Sequence, residues 1–124
     1  NQGSEDFQRQ GLTSGSELYE QVITKAQEWG TADNLMFVVG ATRGESIGQV
    51  RKLAPNNFFL VPGVGAQGGN LKEICEYGLD KDFKLIVNSS RSIIYASPND
   101  DFAKKASEAA KKIQNEMELI IDKL

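Results

Sequence analysis

The chain has no histidine, one cysteine, three prolines and one tryptophan in 124 residues. The missing histidine excludes Ser-His-Asp triads, Cys-His pairs and histidine-ligated metal sites within this stretch. Cys75 has no cysteine to pair with, which implies a reducing compartment and a cytoplasmic location. No apolar run approaches the ~20 residues needed to span a bilayer, and no signal-peptide pattern opens the chain. The net charge of -3 gives no basic field to hold nucleic acid or an anionic membrane surface. An anionic ligand would have to be held by local donors, which favours a small-molecule site over a polymer-binding surface.

What is present is the balance of a soluble globular protein, 40% apolar and 25% charged. Residues 1–16 carry Gly3, Gly11 and Gly15 among polar residues and read as a long loop. Leu18, Val22, Ile23, Ala26 and Trp29 then mark one face of a helix, with Ser16 as its N-cap and Gly30 beyond its end. The run 35–39 is apolar throughout and too short for a buried helix, so it predicts a strand covered on both faces. The cycle repeats. A helix over 45–53 is stopped by Pro55, and 58–61 is a second strand. A helix over 71–77 is closed by Gly78, and 85–87 is a third strand, with a brief helix starting near Ile93. Asp101 or a neighbour caps a long last helix whose apolar stripe includes Phe102, Ala106, Ala109, Ile113, Met117, Ile120, Ile121 and Leu124.

Strands alternating with helices imply βαβ units and a parallel sheet, an α/β fold. Three strands cannot close into a barrel, whereas a TIM barrel uses eight strands over about 250 residues. The expectation is therefore that residues 1–124 are the C-terminal segment of a single TIM-barrel domain, about strands six to eight. The N-terminal half would lie outside this chain.

Two segments carry candidate chemistry. The run Pro62-Gly63-Val64-Gly65-Ala66-Gln67-Gly68-Gly69 follows the second strand. Its four glycines let backbone approach a ligand and adopt positive φ, so N–H groups can point at an anion, and Gln67 adds a side-chain donor. A flexible connector or a simple tight turn is the other reading. After the third strand comes Asn88-Ser89-Ser90-Arg91-Ser92-Ile93. Free N–H groups at the start of the next helix attract an anion, and Arg91 can fork onto phosphate oxygens. A surface ion pair is the alternative role for Arg91. TIM barrels commonly bind phosphate with the loops after strands seven and eight and a short extra helix, the pattern seen here.

The residues also resemble a known family. Val38-Val39-Gly40-Ala41-Thr42, the 62–69 loop and Asn88-Ser89-Ser90-Arg91-Ser92-Ile93-Ile94-Tyr95 are similar to the last three strand ends of orotidine 5'-phosphate decarboxylases of the longer, mainly bacterial branch. The opening residues 1–8 resemble the loop after strand five of that branch. The resemblance implies a cofactor-free, metal-free, homodimeric TIM-barrel enzyme that converts orotidine 5'-monophosphate to uridine 5'-monophosphate and carbon dioxide. It implies that Gly65, Ala66, Gln67 and Gly68 wrap the ligand, Gln67 reaching toward both phosphate and pyrimidine. Arg91 and the Ser90-Arg91 backbone would hold phosphate, with Pro62 and Val64 beside the pyrimidine. The family's catalytic Lys/Asp array belongs to earlier strands, so no catalytic residue is expected here and the chain alone is expected to be inactive.

Two rivals share the same grip: another phosphate-binding barrel enzyme, such as an epimerase or aldolase acting on a sugar phosphate, and a non-catalytic phosphate-ligand binder. Asp80-Lys81-Asp82 with Lys84 looks like alternating catalytic charge, but it precedes the third strand and reads as a solvated loop at the bottom face. Trp29, Phe58, Phe59 and Tyr95 read as packing residues and Cys75 as a buried structural thiol. Lys104, Lys105, Lys111 and Lys112 read as the solvated face of the last helix.

Overall fold

The three apolar runs become three strands lying side by side in chain order, all parallel. They are seen in a computed structural model that describes residues 2–41, 44–65 and 69–123. Asn1, Thr42, Arg43, Leu124 and the loop residues Ala66, Gln67 and Gly68 lie outside the described residues. After a 3-10 turn at Gln2–Ser4, the order is α1 (Glu5–Gln8), α2 (Leu18–Ala26), β1 (Phe37–Val38), α3 (Gly44–Leu53), β2 (Phe59–Pro62), α4 (Leu71–Gly78), β3 (Leu85–Asn88), α5 (Ser90–Ile94) and α6 (Phe102–Ile121).

The register aligns Phe37 with Phe59 and Leu85, and Val38 with Leu60 and Ile86. Side chains alternate across a strand, so these two rows face opposite ways. Phe59, Val61 and Leu85 are buried against Ile47 and Val50 of α3 and Leu71, Ile74 and Cys75 of α4. The other row is bare: Val38 is 69% exposed and Ile86 45%. The expected cover on both faces is therefore present on one only. The helices sit outside, and the uncovered apolar row is where a closed barrel would have its interior.

At the bottom of the sheet, Arg51 holds three segments together. Its Nε donates to Gly78 O (2.9 Å), its Nη1 to Asn57 O (2.6 Å) and Ala54 O (3.3 Å), and its Nη2 to Lys84 O (3.0 Å). The guanidinium carbon lies 3.7 Å from the centroid of the Phe59 ring. Burial pulls its pKa down from the ordinary value, while Asp80 pushes it back up.

Several local expectations are corrected. Residues 1–16 are not all loop, because the 3-10 turn and α1 occupy 2–8. Ser16 is not the cap of α2, since its hydroxyl pairs with Ser14 and accepts from Gln21. Glu17 takes that place in a reciprocal capping box with Glu20. Val22 and Trp29 leave the buried face of α2, whose covered residues are Ile23 and Ala26. Trp29 lies past the helix end, where the 3.6-residue repeat no longer applies. Phe59 packs as expected, but Phe58 is exposed because neighbouring strand residues point oppositely, and Tyr95 is exposed after α5. The brief helix starts at Ser90 rather than near Ile93. Phe102 is exposed at the start of α6, while Ile113, Met117 and Ile120 pack onto the core.

Candidate functional site: two loops at the strand ends

β2 and β3 end together, with Pro62 opposite Asn88. Gly63 N–H then donates to Asn88 O at 3.3 Å, adding one more tie before the loops leave the sheet. Gly63 (φ 100°) and Gly65 (φ 76°) occupy the left-handed region, which explains glycine at both places. Gly65 N–H reaches Gly69 O at 3.3 Å, and Gly69 N–H returns to Gly63 O at 3.4 Å. The loop is thus closed at its base. The N–H groups of Gly63, Gly65 and Gly69, read from the sequence as pointing at an anion, are committed to carbonyls. Pro62 is half-buried and lies two residues after Leu60, on the bare side of the sheet. The Val64 side chain is buried with the core.

Gly69 must pass very close to the end of β1. A Cβ there would stand 2.7 Å from Ala41 Cβ, 3.0 Å from Gly63 O and 3.1 Å from Ala41 O. Two of these neighbours are backbone atoms, so the chain itself would have to move. Gly69→Ala in the full-length protein is expected to cost roughly 1–3 kcal/mol of stability, the range of core overpacking. Gly11→Ala, with nothing within 4 Å of the added methyl, should stay within about 0.5 kcal/mol. Urea unfolding of both variants checks the difference.

The second loop begins at Ser89. Its side chain is buried, and its Oγ donates to Val64 O at 3.0 Å and lies 3.1 Å from Ser92 Oγ. Ser90 Oγ donates to Asn88 Oδ1 at 3.0 Å. Ser90 and Arg91 form the first turn of α5, where N–H groups lack a carbonyl one turn back in the helix. Arg91 is exposed, and among the described residues no carboxylate pairs with it. The surface ion pair considered for it is therefore not formed among them. Sequence reading passed over Ser89, since three polar residues in a row do not say which one turns inward.

Other candidate chemistry falls away from these loops. Lys84 pairs with Asp82 at 3.0 Å and Asp80 at 3.8 Å ahead of β3, at the opposite end of the sheet. That loop is more built than a solvated one. Asp80 Oδ1 accepts from the N–H groups of Asp82 and Lys84, and Phe83 takes φ 55° within the turn. The Asp82 hydrogen bond and charge push the Lys84 pKa up. Cys75 is fully buried, and its pKa is raised by burial and then by Glu116, which keeps it an unreactive thiol. A cleft of about 910 Å³ lies along β1, lined by Phe7, Arg9, Tyr19, Val22, Phe37 and Val38 among others. It follows the free edge of the sheet rather than the two loops. Among the described residues no three His, Cys, Asp or Glu side chains are placed to hold a metal, and no helix is long and apolar enough to cross a membrane.

Parallel strands alternating with outer helices, a bare apolar inner row and adjoining loops at the strands' C-terminal ends define part of a TIM barrel. No family model matches the chain. It is 51% identical over 121 residues to the orotidine 5'-phosphate decarboxylase of Phocaeicola vulgatus, covering 98% of this chain and 44% of that protein. With the enzyme of the same name from Flavobacterium johnsoniae it shares 52% over 122 residues, again 98% of this chain and 44% of the relative. Among solved structures, Leishmania donovani UMP synthase superposes with a TM-score of 0.75 at 37% identity, covering 92% of this chain and 25% of that one. Leishmania donovani OMP decarboxylase gives a TM-score of 0.73 at 34% identity, covering 93% of this chain and 44% of that one. Over nearly its whole length the chain is similar to the C-terminal portion of orotidine 5'-phosphate decarboxylases. It spans less than half the length of the curated relatives it matches.

Proposed function

We propose that this chain is the phosphate-holding part, strands six to eight, of an orotidine 5'-phosphate decarboxylase. The full protein converts orotidine 5'-monophosphate to uridine 5'-monophosphate and carbon dioxide, the last step of de novo pyrimidine synthesis. The observation that carries the reading is that the 63–65 turn and the Ser89–Arg91 turn leave neighbouring parallel strands at the same end and are bonded to each other. An anion seated there meets the Ser90-Arg91 donors on one side and the closely approaching Gly65 backbone on the other. The names of the relatives favour decarboxylation over sugar-phosphate chemistry in a similar barrel.

In this reading the Arg91 guanidinium forks onto phosphate oxygens, and the N–H groups of Ser90 and Arg91 take a third direction. Gly65, Ala66 and Gly68 bring backbone to the ligand, Gln67 bridges phosphate and pyrimidine, and Pro62 borders the ring with the backbone rather than the buried side chain of Val64. These residues bind and orient. The proton and the charge relief at the reacting carbon come from a Lys/Asp array on upstream strands. Two copies of the complete barrel pair as a homodimer in the cytoplasm, without a cofactor.

A charge-assisted hydrogen bond contributes ~1.5–3 kcal/mol net, so Arg91→Ala in the full enzyme is expected to lower kcat/KM by roughly 10- to 150-fold. Phosphate binding energy can also serve to position the reacting end, so part of the loss should fall on kcat. Steady-state kinetics with orotidine 5'-monophosphate and with the phosphate-free nucleoside test this. An equal loss on both substrates would make Arg91 a structural residue.

A further inference from the structure

We propose that Ser89 is a positioning residue that sets the spacing between the two phosphate-facing loops, an inference that rests on the function proposed above. The β2–β3 pairing stops at Pro62 and Asn88, and among the described residues no backbone N–H donates to the Val64 carbonyl just beyond. It lies where water has little access, beside a side chain only 5% exposed. Ser89, itself 6% exposed, provides the donor at 3.0 Å. A carbonyl can only accept, so the single Ser89 proton is committed to it. Ser92 Oγ, 3.1 Å from Ser89 Oγ, braces the hydroxyl from the first turn of α5.

The Gly65 turn rests over this pair of hydroxyls. A Cβ on Gly65 would come within 3.3 Å of Ser92 Oγ and 4.0 Å of Ser89 Oγ. Among the described residues the two loops are thus joined by two ties of different kinds. One is backbone, Gly63 N–H to Asn88 O, and survives any side-chain substitution. The other depends wholly on the Ser89 hydroxyl. It lies between Gly65 on one side and Ser90-Arg91 on the other, so its length fixes how far the Gly65 turn stands from the Ser90-Arg91 donors. Ser89 does not have to touch the ligand to govern how well the loops fit a tetrahedral dianion.

The test is made in the full-length enzyme that carries this segment. Ser89→Ala is expected to raise KM for orotidine 5'-monophosphate and the inhibition constant of inorganic phosphate together, each about tenfold. That is the scale of one lost hydrogen bond. The value of kcat should change by less than about threefold. Ser89→Cys, similar in size with a weak S–H donor, should fall between the two and serves if Ser89→Ala does not fold. A Ser89→Ala enzyme that folds and binds inorganic phosphate as the parent does overturns the proposal. So does a fall in kcat with both constants unchanged, the mark of a merely structural role. Arg91→Ala run in parallel separates the two readings. If it leaves phosphate inhibition unchanged, the phosphate site itself is misplaced. If it weakens phosphate while Ser89→Ala does not, only the positioning role fails.

Discussion

The isolated 124-residue chain is expected to show no turnover of orotidine 5'-monophosphate above the uncatalysed background. Expulsion of carbon dioxide leaves a carbanion on the pyrimidine, which needs a nearby ammonium to stabilise and protonate it. None of the lysines is placed for that. Lys25, Lys52 and Lys72 lie on α2, α3 and α4, and Lys104, Lys105, Lys111 and Lys112 on α6. Lys123 follows α6, and Lys81 and Lys84 precede β3 at the far end of the sheet. Among the described residues the cation beside the two loops is Arg91, and a guanidinium stays protonated in proteins and makes a poor proton donor. The inner row that would face a pyrimidine is Val38, Leu60 and Ile86, with no titratable group. Mixing the chain with a polypeptide carrying the upstream strands should restore decarboxylation, followed by the loss of absorbance of the orotate ring. Turnover by the purified chain alone would refute the assignment of catalysis to residues outside it.

The largest stability effect is expected at Arg51. Its guanidinium supplies donors to the carbonyls of Ala54, Asn57, Gly78 and Lys84, which belong to the end of α3, the entry to β2, the end of α4 and the entry to β3. A carbonyl left buried without a donor costs about 1–3 kcal/mol, and those of Ala54, Asn57 and Gly78 lose theirs at once in Arg51→Ala, while Lys84 O keeps the Phe59 N–H. Arg51 is half-buried rather than sealed, so water recovers some of that. The contact with the Phe59 ring is lost as well. A net loss of roughly 3–5 kcal/mol is expected, read as a lowered denaturation midpoint of the full-length enzyme. Arg51→Lys keeps the charge but radiates its donors from one nitrogen, so it cannot reach carbonyls on three sides. It should recover less than half of the loss. A change below about 1 kcal/mol for Arg51→Ala would show that the bonds are replaced by water without cost.

Arg51 also shows where sequence reading stops. Its neighbours Val50 and Leu53 announced a helix by their spacing, and the helix is there. Nothing in that spacing tells that Arg51 reaches four carbonyls, three of them on other elements, since a polar-face arginine is ordinarily solvated. The strand and helix order was legible because short unbroken apolar runs and the 3.6-residue period are local signals. The parallel sheet followed from it, and the loops at the strand ends followed from the sheet. What was hidden depends on pairing across the sheet. The commitment of the Gly63 N–H to Asn88 O needs two loops in contact, and that of Gly65 and Gly69 needs the 62–69 loop to fold back on itself. The same holds for Ser89, distinguished from Asn88 and Ser90 only by the direction in which it points. Trp29 and Tyr95 misled for a different reason. A large aromatic carries a strong expectation of burial, and here each sits just past the end of a helix with nothing over it.

The row of exposed Val38 and Ile86 with half-buried Leu60 between them has a consequence for assembly. In a parallel strand a slip of one residue exchanges the two faces. A neighbouring strand that joined β1 one residue out of step would turn its apolar side chains away from this row and set polar ones against it. Correct closure and incorrect closure therefore differ at every rung of the barrel at once. The row acts as a gauge, rewarding a single alignment of the strands that complete the ring and leaving misaligned ones with a wet, ill-matched seam.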